Sequence, residues 1–138
     1  MSIEIKRITA HDKAFFQQIA DDVFDETIVP ERLAAYLKNP ANLMILARVN
    51  GEVIGQVAAV LHHHPDKPTE LYVDEVGVTS RFQRQGIAKQ MMEEMLVWGR
   101  ERGCEEVWLG TESENVPARA LYARFAEAEP IMMYQWDL

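Results

Sequence analysis

The sequence predicts one mixed α+β domain, and three observations carry that prediction. Asn50-Gly51 separates two apolar runs, Leu43 to Val49 and Val53 to Leu61, which is the strongest short hairpin signal in the chain. A third strand-like run, Leu71 to Val78, leads into a helix-patterned segment opening at Gly86 and then a short strand, the pattern of a parallel crossover. With 138 residues, 48% hydrophobic and 26% charged, the chain supports one domain with a real core and argues against disorder.

Each element has its own local reason. Ile3-Glu4-Ile5-Lys6-Arg7-Ile8 alternates apolar and polar residues and reads as a half-buried first strand. Residues 11 to 22 place Phe15, Phe16, Ile19 and Ala20 at helical spacing behind Thr9 or His11, so a first helix is expected there. Pro30 with Leu33, Tyr36 and Leu37 predicts a second, short helix ending before Asn39-Pro40. After the hairpin, a strand from about Glu70 to Val78 is entered through Pro65 and Pro68, and Gly77 marks a bulge in it. The long helix from Gly86 to about Arg102 turns Ile87, Met91 and Met95, with Trp98 or Gly99, inward and stops at Gly103. Glu106 to Gly110 reads as a strand, Pro117 to Ala126 as a helix and Ile131 to Asp137 as a last strand, giving β-α-α-β-β-β-α-β-α-β.

Composition removes several function classes. A formal net charge of -8 argues against nucleic acid as a partner, because binding it needs Lys and Arg massed on one face. The single Cys104 excludes an intrachain disulfide framework and reads as a small apolar residue after a helix-ending glycine. The start Met-Ser-Ile-Glu-Ile-Lys lacks a signal-peptide pattern, and no apolar run reaches a membrane span, so a cytoplasmic protein without a membrane partner is expected. His62, His63 and His64 are adjacent and cannot all reach one ion from a strand; with no Cys or acid read at ligand spacing, no metal site is expected. Met91, Met92, Met95, Trp98, Trp108 and Trp136 read as core or interface side chains, which leaves room for a homodimer.

One segment stands apart from the acidic background. Thr79 to Gln90 holds Arg81, Arg84 and Lys89 with no acid, and within it Gln83-Arg84-Gln85-Gly86-Ile87-Ala88 sits where a strand becomes a helix. The first turn of a helix leaves backbone N–H groups unpaired, its dipole is positive there, and Gly86 lets a ligand approach the chain closely. A basic island at such a junction predicts a phosphate-bearing cofactor.

The string resembles the diphosphate-binding motif of the GNAT superfamily of N-acetyltransferases, Gln/Arg-x-x-Gly-x-Gly/Ala after a strand. The resemblance continues through Lys89-Gln90-Met91-Met92, Trp98-Gly99-Arg100-Glu101-Arg102-Gly103-Cys104 and Glu114-Asn115-Val116-Pro117-Ala118-Arg119-Ala120-Leu121-Tyr122, and covers roughly residues 70 to 138. These strings look most like the small aminoglycoside N-acetyltransferases of the 3-N and 6′-N types. One departure is that Phe125-Ala126-Glu127 stands where the family usually has Gly-Phe. The resemblance implies a mixed, largely antiparallel sheet with helices on both faces, acetyl-CoA as cofactor and a small-molecule amine as acceptor. It also implies that Val76, Gly77, Val78, Gln83, Arg84, Gln85, Gly86, Ile87, Ala88, Lys89 and Asn115 contact the cofactor. Asn115 has a further role open to it, as the cap before Pro117.

Acetyl transfer from a thioester to an amine requires a free amine, a stabilised oxyanion and a proton for the leaving thiolate. Because an alkyl amine has a pKa of about 10.4, a carboxylate, often acting through water, helps remove its proton. Asp74 and Glu75 precede the cofactor loop, and alternation lets at most one of them face a given ligand unless a bulge intervenes. The 3-N type places its acid at the position of Glu75 and the 6′-N type at that of Asp74; Glu75 ranks first. By the same resemblance, the backbone N–H of Val76 or its neighbours would meet the oxyanion beside a splayed strand, and Tyr122 would protonate the thiolate.

Asp21, Asp22, Asp25, Glu26 and Glu31 fall together without a base, in the region that lines the acceptor cleft of the resembled family. A cationic acceptor, aminoglycoside-like or polyamine-like, is the expectation, with a solvated acidic surface as the plain alternative. Two other functions stand beside the leading one: a peptide or protein N-acetyltransferase, and a binding module that keeps acyl-CoA affinity without catalysis.

Overall fold

The computed structural model describes residues 2–138. Strands β1 (Glu4–Arg7), β2 (Asn42–Val49), β3 (Glu52–His62), β4 (Glu70–Val78) and β5 (Glu106–Trp108) form one sheet in that order. The pairs from β1 to β4 are antiparallel, and β5 runs parallel to β4. Three α-helices accompany it, α1 (Pro30–Lys38), α2 (Ile87–Glu101) and α3 (Val116–Tyr122), with 3-10 turns at Lys13–Gln17 and Ser80–Phe82.

Both faces of the sheet are covered, which is why the central strands read as continuous apolar runs. Leu43, Ile45, Ala47, Ile54, Val57 and Leu71 pack with Ile87, Met91, Met92 and Met95 of α2 on one face. Met44, Leu46, Val53 and Ala58 meet Phe15, Phe16, Tyr36 and Leu37 on the other, where the first 3-10 turn and α1 lie. The hairpin between β2 and β3 turns on Asn50 at φ 50 and Gly51 at φ 83, the left-handed pair that a tight turn matched to strand twist needs. No helix among the described residues is long and apolar enough to cross a membrane.

The structure departs from the sequence expectations in three places. Where a helix over residues 11 to 22 is expected, only the 3-10 turn Lys13–Gln17 forms. The chain beyond it is captured by the sheet: Val53 N–H donates to the Gln18 carbonyl at 2.8 Å, Ala20 N–H donates to the Val53 carbonyl at 2.9 Å, and Ile19 bridges Val53. The bulge expected at Gly77 lies instead at Asp74, because Ala58 pairs with Glu75 and Ala59 with Val73. The last strand, expected over Ile131 to Asp137, is absent, and residues 126–138 form neither helix nor strand. The outer edge of β5 accordingly stays unpaired within the chain.

Candidate active site

β5 pairs with β4 only from Glu70 to Tyr72. From Val73 to Val78 that edge of β4 has no strand beside it, so its outward backbone groups are open to a ligand. Val76, Gly77 and Val78 lie on this open stretch and are half-buried. At its end the Gln83 side chain donates to the Val78 carbonyl at 3.0 Å, which ties the turn back to the strand. Arg84 at φ 64 and Gly86 at φ 78 are both left-handed, and a Cβ on Gly86 would meet nothing within 4 Å. Gly86 caps α2, and the first intrahelical bond is Gln90 N–H to the Gly86 carbonyl at 3.0 Å. The N–H groups of Ile87, Ala88 and Lys89 therefore have no helical acceptor and point toward open space around Gly86.

The basic island is less free than its sequence implies. Arg81 is held by Glu52, and Lys89 Nζ lies 2.7 Å from Glu93 Oε1 one helical turn on. Among the described residues Arg84 has no carboxylate at ion-pair distance. Gln85 is exposed, while the Ile87 side chain is buried in the core, so only its backbone can serve a cofactor.

The bulge decides where the carboxylates point. An extra residue in β4 breaks the alternation at Asp74 and brings both acids to bear on one hydroxyl: the charges of Asp74 and Glu75 both push the Tyr36 phenol above its ordinary range, after burial, which pushes hardest. Burial likewise raises the Glu75 carboxyl, with Asp74 and then Asp25 adding to it and a hydrogen bond from Gln56 opposing. Asp74 is raised by desolvation alone, against a backbone hydrogen bond. Only Glu75 is pushed further by neighbouring carboxylates, Asp74 first and then Asp25.

The sequence reading missed two of the groups gathered here. Tyr36 Oη is buried with no hydrogen-bond partner, as is Gln56 Oε1 beneath the bulge. The signal for Gln56 was present, because it is the single polar residue within the apolar run Val53 to Leu61. Tyr36 carried none, since an aromatic residue at helical spacing serves a core equally well.

The acidic loop divides in two. Asp22 accepts from the Thr79 hydroxyl and from Ser80 N–H at 2.9 Å, so its carboxylate is taken up in holding the loop after β4. These bonds keep it below the usual carboxylate range. Asp21, Asp25 and Glu26 are exposed. The loop is seated closely: a Cβ at Gly77 would lie 2.6 Å from the Val23 carbonyl oxygen, which also accepts from Gln56 Nε2 at 3.4 Å.

Tyr122, at the end of α3, packs against the cluster on the α2 face, and burial raises its phenol above the ordinary range. The carboxylates act on Tyr36, on the α1 face, so the open stretch of β4 lies between the two sets. Asn115 caps α3, with Oδ1 accepting from Ala118 N–H at 3.2 Å.

Known proteins share this fold. A model of the Acetyltransferase (GNAT) family matches residues 6–126. An uncharacterised N-acetyltransferase of Lactobacillus delbrueckii subsp. lactis is 27% identical over 111 residues, which cover 75% of this chain and 64% of that protein. The aminoglycoside N(6′)-acetyltransferase type 1 of Salmonella typhimurium is 26% identical over 96 residues, covering 65% of this chain and 66% of that protein. The chain thus spans slightly less than two thirds of the length of these relatives. Among solved structures, an aminoglycoside acetyltransferase from an uncultured soil metagenomic sample shares the fold with a TM-score of 0.83 at 19% identity, over 100% of this chain and 99% of that one. The family match extends from β1 through α3 and takes in the open strand edge, the Gly86 turn and the helix bearing Tyr122, and on that ground the chain belongs to the acetyltransferase (GNAT) family.

Proposed function

We propose that this protein moves an acetyl group from acetyl-CoA to a primary amine of a small cationic acceptor, aminoglycoside-like or polyamine-like. The observation that carries the reading is the bulge at Asp74, on the open edge of β4, where burial raises the carboxyls of both Asp74 and Glu75 and the charge of each pushes up the buried phenol of Tyr36. The residues fit the cofactor: the α2 N-terminus and the space over Gly86 suit a diphosphate, and residues 73 to 78 offer backbone partners to an extended amide chain. Acetyl-CoA supplies the acetyl group as a thioester.

The chain's own residues supply the rest. Glu75, its carboxyl raised above the ordinary range by burial, takes a proton from the acceptor ammonium directly or through water, freeing the nitrogen lone pair. The new bond is N–C and the bond that breaks is C–S. Backbone N–H near Val76 would meet the charge developing on the carbonyl oxygen, Tyr122 would give its proton to the departing sulfur, and the second proton that the nitrogen sheds as the amide forms would restore the phenol through solvent. Asp21, Asp25 and Glu26, all exposed, attract the cationic acceptor. Asp22, engaged with Thr79 and Ser80, holds the loop.

The test is release of free CoA across a panel of aminoglycosides, polyamines, neutral amines and peptides. Turnover confined to polycationic small molecules is the expected result. Efficient acetylation of peptides would replace the reading with a protein acetyltransferase, and CoA binding without turnover of any amine would reduce it to a binding module.

A second reading concerns assembly. We infer that the protein is a homodimer closed by its C-terminal segment. Ile131, Met132, Met133, Tyr134 and Trp136 are each at least 74% exposed, and β5 leaves Val107 and Trp108 uncovered at a free sheet edge. An apolar, strand-patterned segment and an unpaired edge on the same chain are complementary to a second copy of themselves, and two-fold exchange would satisfy both at once.

A further inference from the structure

At the end of the sheet away from the α2 N-terminus, β3 leaves on His62 directly opposite Glu70, where β4 enters. His64 folds back so that its Nε2 lies 3.2 Å from Glu70 Oε1, and His62 Nδ1 lies 3.9 Å from the same oxygen. The two imidazole rings are 4.2 Å apart, centroid to centroid. We propose that His62, His64 and Glu70 form a binding site for one divalent transition-metal cation of the zinc class, with the remaining position open to water.

Distances support three-point ligation. Zinc takes imidazole nitrogen and carboxylate oxygen at about 2.0–2.2 Å in tetrahedral geometry, which sets ligand-to-ligand separations of roughly 3.3–3.6 Å. The His64–Glu70 pair, at 3.2 Å, is within about 0.1 Å of that spacing, and all three donor atoms fall within 4.8 Å of one another. Closing the set requires His62 to swing inward, and its side chain, 53% exposed, has room to do so. Two nitrogens and a carboxylate oxygen are also the donor set that zinc prefers over calcium or magnesium.

His64 gives an independent reason. Its Nε2 is buried and makes no aligned hydrogen bond, despite lying within ion-pair distance of Glu70. A buried polar atom without a partner carries a desolvation cost that a bound cation would relieve. A simple ion pair would need one imidazole; here two converge on a single oxygen, and as cations they would repel each other. His63 points elsewhere, its Nδ1 3.0 Å from the Thr69 hydroxyl, and so steadies the connection that carries the site. The expectation that no acid stands near these histidines is thereby corrected, because Glu70 reaches them across the sheet from the next strand. Glu70 lies four positions from Asp74, about 13 Å along a strand, so the site is separate from the acetyl-transfer residues.

The experiment uses the full chain stripped with a chelator, then titrated with Co2+ while visible absorption is recorded, and with Zn2+ by calorimetry. One ion per chain and the intense d–d bands of four-coordinate Co2+ are expected. His62→Gln, His64→Gln and Glu70→Gln should each weaken binding at least tenfold, whereas His11→Gln and His63→Gln should not. His62 is exposed, so His62→Gln keeps the test valid even if a change at His64 disturbs folding, which melting without metal reveals. Equal zinc uptake by the wild type and by the His62→Gln, His64→Gln double variant overturns the proposal, as does absence of uptake by the wild type; the cluster is then an ion pair.

Discussion

Asp22 and Thr79, 57 positions apart, are joined by a hydrogen bond in which the threonine hydroxyl donates to the carboxylate, and Ser80 N–H fills the second carboxylate oxygen. The acidic loop of the N-terminal half is thus fastened to the segment that leads from β4 into the Gly86 turn. Asp22→Asn weakens both bonds and frees that segment. We expect the Kd for CoA to rise several-fold while the salt dependence of acceptor KM, set by exposed acids within about 10 Å, stays as it is. Isothermal titration with CoA beside acceptor kinetics at varied ionic strength checks this; a changed acceptor KM alone would return Asp22 to the acceptor site.

Glu75→Gln should lower kcat by about a hundredfold to ten-thousandfold near neutral pH, with partial recovery as pH approaches the amine's own pKa. Stability should move the other way. The folded-state carboxyl is raised, so its contribution to stability is fully present below the unfolded pKa and is lost as pH climbs through the folded value. Glu75→Gln has no charge to desolvate and should therefore melt higher than the wild type at neutral pH, with the difference vanishing in acid. Melting curves across pH 4 to 8 read the sign. Asp74→Asn showing the larger kinetic loss would exchange the roles of the two acids.

Tyr36→Phe removes a buried hydroxyl that has no partner in the free protein. An unsatisfied group of this kind costs roughly 1–3 kcal/mol, so the variant should be at least as stable as the wild type and gain up to about that amount. Acceptor KM should rise or kcat fall if the hydroxyl engages the acceptor. A variant both less stable and fully active would make Tyr36 a packing residue.

Tyr122→Phe should reduce kcat by about tenfold to a thousandfold with CoA affinity unchanged, because only the proton for the departing sulfur is lost. Single-turnover measurement separates this from slow product release. Unchanged chemistry would assign the phenol to the core it packs against.

Truncation before Ile131 removes the exposed apolar segment and should convert a dimer to a monomer of unchanged secondary structure, read by light scattering and circular dichroism. A wild-type protein that is monomeric at every concentration would sink the exchange.

Much of the fold was written locally. Asn50-Gly51 turns where its dipeptide says it must, β4 spans Glu70–Val78 as its apolar run implies, and α2 opens at Gly86, where the chain takes a positive φ that glycine adopts without strain. The helix face Ile87, Met91 and Met95 is buried as its spacing dictates. These features depend on neighbours within a turn or a strand, so periodicity and φ preference suffice to read them. Pairing between distant segments is a different matter. The bulge that aims Asp74 and Glu75 arises from register against Ala58 and Ala59, the clamp on Asp22 from Thr79, and the acid beside His62 and His64 from the strand across the sheet. Ile131 to Asp137 reads as a strand and residues 11 to 22 as a helix; neither formed, and in the second case Val53 claims the backbone of Gln18 and Ala20. Residue patterns carry intrinsic preference, but backbone hydrogen bonds and buried charges are settled between partners far apart in the chain, and only the tertiary structure chooses those partners.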